Sequence, residues 1–171
     1  MVSQKMTDAI NEQINAELYS AYLYMSMAAY FEDLQLPGMA HWMVVQSQEE
    51  MSHALRFYKH LNERGGRAIL KAIEGPETQW AAPLACFQAV AEHEAKVTSL
   101  INGLMRLARQ EDDYASESFL QWFVNEQVEE EASAAEVVGK LKLVAETQGG
   151  LFMLDKELAA RVFNMPPDLT I

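Results

Sequence analysis

Apolar residues recur at spacings of three and four along four long stretches of the chain, the period of one buried helical face. In the first stretch the stripe is Ile10, Ile14, Glu17, Ala21, Tyr24, Ala28 and Phe31, and in the second Met43, Gln46, Glu50, His53 and Phe57. The third reads Phe87, Val90, Glu94, Val97, Ile101, Leu104 and Ala108, and the fourth Leu120, Phe123, Gln127, Glu130, Ala134, Val137 and Leu141. Every stripe carries a carboxylate near its middle, on the face that should be dry. Breakers at Pro37-Gly38, Gly65-Gly66, Gly75-Pro76, Pro83, Glu111-Asp112-Asp113, Gly149-Gly150 and Pro166-Pro167 separate the stretches. They predict helices over about 7–35, 38–64, 83–110 and 116–147, with Thr7 as the first N-cap, and a short fifth over 151–163.

Short links join the first helix to the second and the third to the fourth, so each pair is antiparallel. The link between the pairs, Gly65 to Ala82, is long enough to run the length of a bundle. The reading is an all-α single domain over 1–171: a four-helix bundle with one long crossover and a short C-terminal fifth helix. The fifth segment offers Leu151, Leu154, Leu158 and Val162 on one face, too few to make a core alone, so it packs against neighbours.

Composition agrees with long helices, since only 8 glycines and 5 prolines occur in 171 residues. A chain this long buries roughly 70% of its unfolded surface, so a sizeable core is available. The net charge of -12 repels phosphate backbones and anionic membrane surfaces, which excludes nucleic-acid and membrane partners and favours cationic ones. The single cysteine, Cys86, makes neither an internal disulfide nor a cysteine-rich metal site and reads as core filler. The N-terminus lacks an apolar signal core and the longest uncharged apolar run, Leu18 to Phe31, is too short to span a bilayer, so the chain is expected to be cytoplasmic.

The halves of the chain repeat. Glu17 and Glu50 are 33 residues apart, as are Glu94 and Gln127, and each second member leads three residues on to His53 or Glu130. A shift of 77 residues therefore maps one polar set onto the other, and Glu49 onto Glu126. Two hairpins related by a pseudo-two-fold bring these groups to one level inside the bundle. Ordinary surface pairing is hard to arrange, because no Lys or Arg lies between Lys5 and Arg56 or between Arg109 and Lys140. An unpaired buried ion costs roughly several kcal/mol, so the interior calls for metal ions or, alternatively, for protonated carboxyls or a wet polar core. Three or more carboxylates with one imidazole suit iron(II) or manganese(II), whereas a closed zinc site wants more Cys or His. Glu50, Glu94 and Glu130 supply enough oxygens for two ions. Tyr24, two turns beyond Glu17, either serves that site through its phenol or is an aromatic core residue.

The stretches NEQINAELYSAYLY (Asn11 to Tyr24), QEEMSH (Gln48 to His53), EHEAKVT (Glu92 to Thr98) and FLQWFVNEQVEEE (Phe119 to Glu131) resemble the non-haem ferritins, and the likeness covers essentially the whole chain. The resemblance implies the ferritin-like bundle, a hollow shell of twenty-four subunits, oxidation of iron(II) by dioxygen or hydrogen peroxide, and storage as a ferric oxide mineral. It implies that Glu17, Glu50 and His53 hold a first iron with Glu50 bridging, and that Glu94 and Glu130 hold a second beside Gln127. It further implies a third site at Glu49, Glu126 and Glu129, with Glu130 shared, unless those three are simply a solvated helical face. The chain has Gln127-x-x-Glu130 where symmetrical relatives carry a second Glu-x-x-His, so the second ion should bind more weakly and leave more readily. Met51 stands where bacterioferritins ligate haem, but non-haem members share such methionines, and no haem is expected. The fifth helix, absent from the smaller DNA-protecting relatives, favours the large shell. Glu111, Asp112, Asp113 and Glu117 lie where relatives form three-fold pores, or else complement the fourth helix dipole. His41, His60 and His93 read as surface groups, Trp42 and Trp80 as packing, and Trp122 as a neighbour of the fourth-helix ligands.

Overall fold

The computed structural model describes every residue except 146, 148, 166–168, 170 and 171, so the Pro166-Pro167 breaker lies outside the described residues. The elements are α1 (Gln4–Asp33), α2 (Pro37–Glu63), α3 (Pro83–Gln110), α4 (Tyr114–Val144) and α5 (Gly150–Leu158), with no strand among the described residues. The first helix begins ahead of Thr7 because Ser3 is the better-placed cap: its Oγ accepts the Met6 backbone N–H at 3.0 Å. Asp113 caps α4 in the same way, accepting from Ser116 N at 3.1 Å, and this starts the helix at Tyr114. Pro37 and Pro83 open α2 and α3, where a missing N–H costs nothing. Gly65, with φ +76°, takes the left-handed turn that ends α2.

α1 packs along α2, α3 along α4, and α1 also meets α3. Asn11 ties the crossover to α1, its Nδ2 donating to the Arg67 carbonyl at 3.1 Å and its Oδ1 accepting from Ile69 N at 2.7 Å. Further along, Ser26 Oγ donates to the Glu77 carbonyl at 2.7 Å, so the link runs the length of that helix. The expected stripes are the buried faces, and they divide into two apolar clusters. One holds Tyr24, Met27, Phe31, Met43, Phe87 and Val90, with Cys86 fully buried among them. The other holds Ile10, Ile14, Phe57, Leu61, Ile101 and Phe123. Each fully buried side chain of this size contributes about 1.5–3 kcal/mol, and together they offset the polar layer between them.

α5 docks on α2 and α4. Gly38 makes this possible, because a Cβ there would lie 1.7 Å from the Asp155 carbonyl oxygen. Asp155 in turn accepts the Met39 N–H at 2.9 Å, satisfying one of the unpaired donors of the first turn of α2. Leu154 and Leu158 are buried as expected, but the helix stops at Leu158 and Val162 is exposed beyond it. Among the described residues no helix is long and apolar enough to cross a membrane.

Candidate metal centre

The polar layer is built from the middle turns of the four long helices. Glu17 comes from α1, Glu50 and His53 from α2, Glu94 from α3, and Gln127 and Glu130 from α4. All are buried: Glu17, Glu50 and Glu94 are 1% exposed, His53 3% and Glu130 5%. Glu17, Glu50 and His53 offer ligand atoms within 4.8 Å of one another, and His53, Glu126 and Glu130 form a second such group. His53 thus stands between the two, with Nδ1 3.3 Å from Glu50 Oε2.

Neutral donors hold the carboxylates in place. Gln13 Nε2 donates to Glu17 Oε1 at 2.9 Å, and the Tyr24 hydroxyl donates to Glu94 Oε1. Gln127 Nε2 reaches Glu94 Oε2 at 3.3 Å and Thr98 Oγ1 at 3.2 Å. Gln46, whose polar side chain on the buried stripe was the available sequence signal, donates to Glu130 Oε2 at 2.7 Å and to Glu50 Oε1 at 3.2 Å. Two buried oxygens of this layer, Glu17 Oε2 and Gln46 Oε1, have no hydrogen-bond donor among the described residues. A cation would satisfy Glu17 Oε2 directly.

Burial pushes all four carboxyls above their ordinary range. Glu17 rises further through the charge of Glu50, and Glu50 through those of Glu94 and Glu130. Glu94 is raised by burial against the pull of its Tyr24 and Gln127 hydrogen bonds. Glu130 is pushed up to about 8 by burial and by the charge of Glu94. Burial and the neighbouring Glu94 also raise the Tyr24 phenol. Four such carboxyls sharing one interior bind either protons or metal ions, and a hard or borderline divalent cation matches their oxygen-rich donor set.

The remaining candidates separate. Glu126 is half-buried and belongs to the His53 group, whereas Glu129 is exposed. Glu49 is ion-paired with Arg161, which the sequence placed inside the fifth helix but off its apolar stripe, and which in the structure follows α5. For Glu49, therefore, the neutralising cation comes from the chain itself. His93 is not a surface group: its Nε2 lies 2.7 Å from Ser20 Oγ, its ring meets those of Tyr19 and Tyr24, and burial lowers its pKa to about 4. His60 is likewise half-buried, stacked on Phe119 with centroids 3.9 Å apart. Trp122 stands edge-on to His53 at 5.5 Å and carries Arg56 over its face at 3.8 Å. Asp113 pairs with Arg64 and Glu117 with Arg109, so these acidic residues serve the helix ends.

A match to the Ferritin-like domain spans residues 7–144. The bacterial non-heme ferritin of Bacteroides fragilis strain 638R is 45% identical over 161 residues, covering 94% of this chain and 100% of the relative. That of Staphylococcus saprophyticus is 38% identical over 164 residues, covering 96% and 98%. Among solved structures, an engineered closed form of the Archaeoglobus fulgidus ferritin superposes with a TM-score of 0.94 at 52% identity, covering 96% of this chain and 100% of that one. The open pore ferritin of the same archaeon gives 0.93 at 52% identity, covering 95% and 99%. Bundle, buried carboxylate layer and sequence likeness agree, and the chain belongs to the ferritin family of iron-storage proteins.

Proposed function

We propose that the carboxylate layer is a ferroxidase centre that takes two iron(II) ions as substrate. Glu17, Glu50 and His53 hold the first, Glu94 and Glu130 the second, Glu50 bridges, and Gln127 steadies Glu94. The observation that carries this reading is the convergence of Glu17, Glu50, Glu94 and Glu130, each at most 5% exposed, in one interior, with no Lys or Arg in the sequence between Lys5 and Arg56 or between Arg109 and Lys140. Iron(II) displaces the protons that burial keeps on the carboxyls, and the resulting anions favour iron(III) over iron(II). Each ion gives up one electron, so a bridged pair delivers two together. With dioxygen and two protons the products are two iron(III) and hydrogen peroxide; with hydrogen peroxide and two protons they are two iron(III) and two waters. Tyr24 fixes Glu94 through its hydrogen bond, and the second position, where Gln127-x-x-Glu130 stands in place of a second Glu-x-x-His, binds more weakly and lets product leave.

A third ion is assigned near Glu126 and Glu130, with Glu49 and Glu129 at its edge. The oxidised iron collects as ferric mineral inside a shell of twenty-four copies. Support for a large shell comes from the docked α5 and from exposed apolar side chains such as Tyr22, Leu55 and Phe152 that neighbours would cover. Anaerobic iron(II) titration followed by exposure to dioxygen or to hydrogen peroxide tests the centre. Saturation at two tightly held ions per chain, then oxidation faster than in buffer and mineral that stays with the protein on gel filtration, is the expected result. Oxidation no faster than buffer would overturn it, and a twelve-subunit particle or a monomer on sedimentation would overturn the shell.

A further inference from the structure

The segment after α5 carries a cation to the edge of the metal centre. Three anchors fix it there: the close approach of Gly38 to Asp155, the ion pair of Lys140 with Glu157, and His41 Nε2, 2.8 Å from the Arg161 carbonyl. The Arg161 guanidinium then lies over the Trp42 ring, 4.2 Å from its centroid, and pairs with Glu49 through Nη2. Its Nη1 is buried with no acceptor among the described residues, so the guanidinium is only partly satisfied where it sits. The neighbouring turn of α4 supplies Glu126 and Glu130, whose oxygens group with His53. Glu49 stands outside that group but feels the charge of Glu126 and adds its own to Glu130, so a metal ion bound there would compete with the tethered guanidinium for it.

Resting on the assignment of a third ion to this edge, we propose that Arg161 is the resident counter-ion of Glu49 and that iron(II) fills the third position only by displacing it. The guanidinium therefore sets the third site, whose Glu49 and Glu126 are half-buried, apart from the two inner positions, whose carboxylates are each at most 5% exposed. It keeps the third site weak, so that iron there is in transit toward the mineral. A guanidinium is fitted to this task because it stays charged at any working pH and binds a carboxylate through a planar fork, yet it cannot itself ligate iron.

Equilibrium dialysis of the assembled protein against iron(II) without oxygen tests this in wild type, Arg161→Gln and the double variant Arg161→Gln with Glu49→Gln. All three should hold the tight pair. In Arg161→Gln the third ion should bind about tenfold or more tightly than in wild type, the scale of one charge-assisted hydrogen bond. The added Glu49→Gln should reverse that gain. A third-ion affinity within twofold of wild type in Arg161→Gln, with the tight pair retained, would overturn the proposal. A wild type without a tight pair would instead overturn the di-iron reading, which separates the two failures. Should Arg161→Gln fail to assemble, Trp42 reports on the native residue: in Trp80→Phe/Trp122→Phe protein its fluorescence should change only with the third equivalent of iron(II). An unchanged emission at that equivalent would overturn the proposal.

Discussion

Gln46 joins the two halves of the carboxylate layer to each other: one amide nitrogen donates to Glu130 across the bundle at 2.7 Å and to Glu50 on its own helix at 3.2 Å. Replacing it with Leu keeps the volume and removes both bonds. The metal-free protein should lose about 1–3 kcal/mol, the penalty for leaving buried acceptors unpaired. Calorimetry on the metal-free form should show the lower midpoint, and infrared titration should show the Glu130 carboxyl protonated to still higher pH than about 8.

Glu50 is the residue on which the proposed pair turns. Glu50→Gln should slow the initial oxidation of iron(II) by at least the roughly 10–100-fold that altering an outer-shell partner costs. It should also raise the thermal midpoint of the metal-free protein, because the amide removes a carboxyl whose ionisation burial and the charges of Glu94 and Glu130 oppose. Stopped-flow absorbance and a thermal melt measure the two effects.

Raised carboxyls give the metal-free protein an unusual pH profile. A group whose folded pKa is raised binds more protons folded than unfolded, so its contribution is complete below the unfolded value and is lost as pH climbs through the folded one. For Glu130 the window runs from 4.5 to about 8, and Glu17, Glu50 and Glu94 act in the same direction. Metal-free protein should therefore melt lower at pH 8 than at pH 5 by about several degrees, and a redox-inert divalent ion should restore more at the higher pH. In a pH-stat, anaerobic loading of iron(II) near neutral pH should release protons.

Tyr24→Phe keeps the ring in its fully buried position and deletes the donor to Glu94. The first ion should bind as before, whereas the second should weaken by about tenfold, in line with loss of one hydrogen bond to a charged ligand. Unchanged affinity and unchanged oxidation rate would make Tyr24 a packing residue only.

Gly38→Ala places a methyl where the Asp155 carbonyl already lies. The expected result is displacement of α5, a loss of about 1–3 kcal/mol from overpacking, and faster proteolysis after α4. Limited digestion with mass analysis of the fragments reads the displacement directly.

Periodicity marked the buried faces because a helix repeats every 3.6 residues, and a stripe of Ile, Phe and Val broken once by Glu is visible without coordinates. The 33- and 77-residue spacings then placed Glu17, Glu50, Glu94 and Glu130 at one level, since antiparallel hairpins of equal length bring their middles together. Helix starts were less legible: Ser3 and Asp113 cap through local hydrogen bonds, whereas the sequence pattern put the starts at Thr7 and about 116. Other relationships were settled only by tertiary packing. Gln46 became a bridge to Glu130, His93 left the surface for Ser20, and Arg161 crossed 112 residues of chain to reach Glu49. Periodicity along one helix says which way a side chain faces; which distant group it meets depends on how α5 and the two hairpins dock, and that is fixed by close packing at positions such as Gly38.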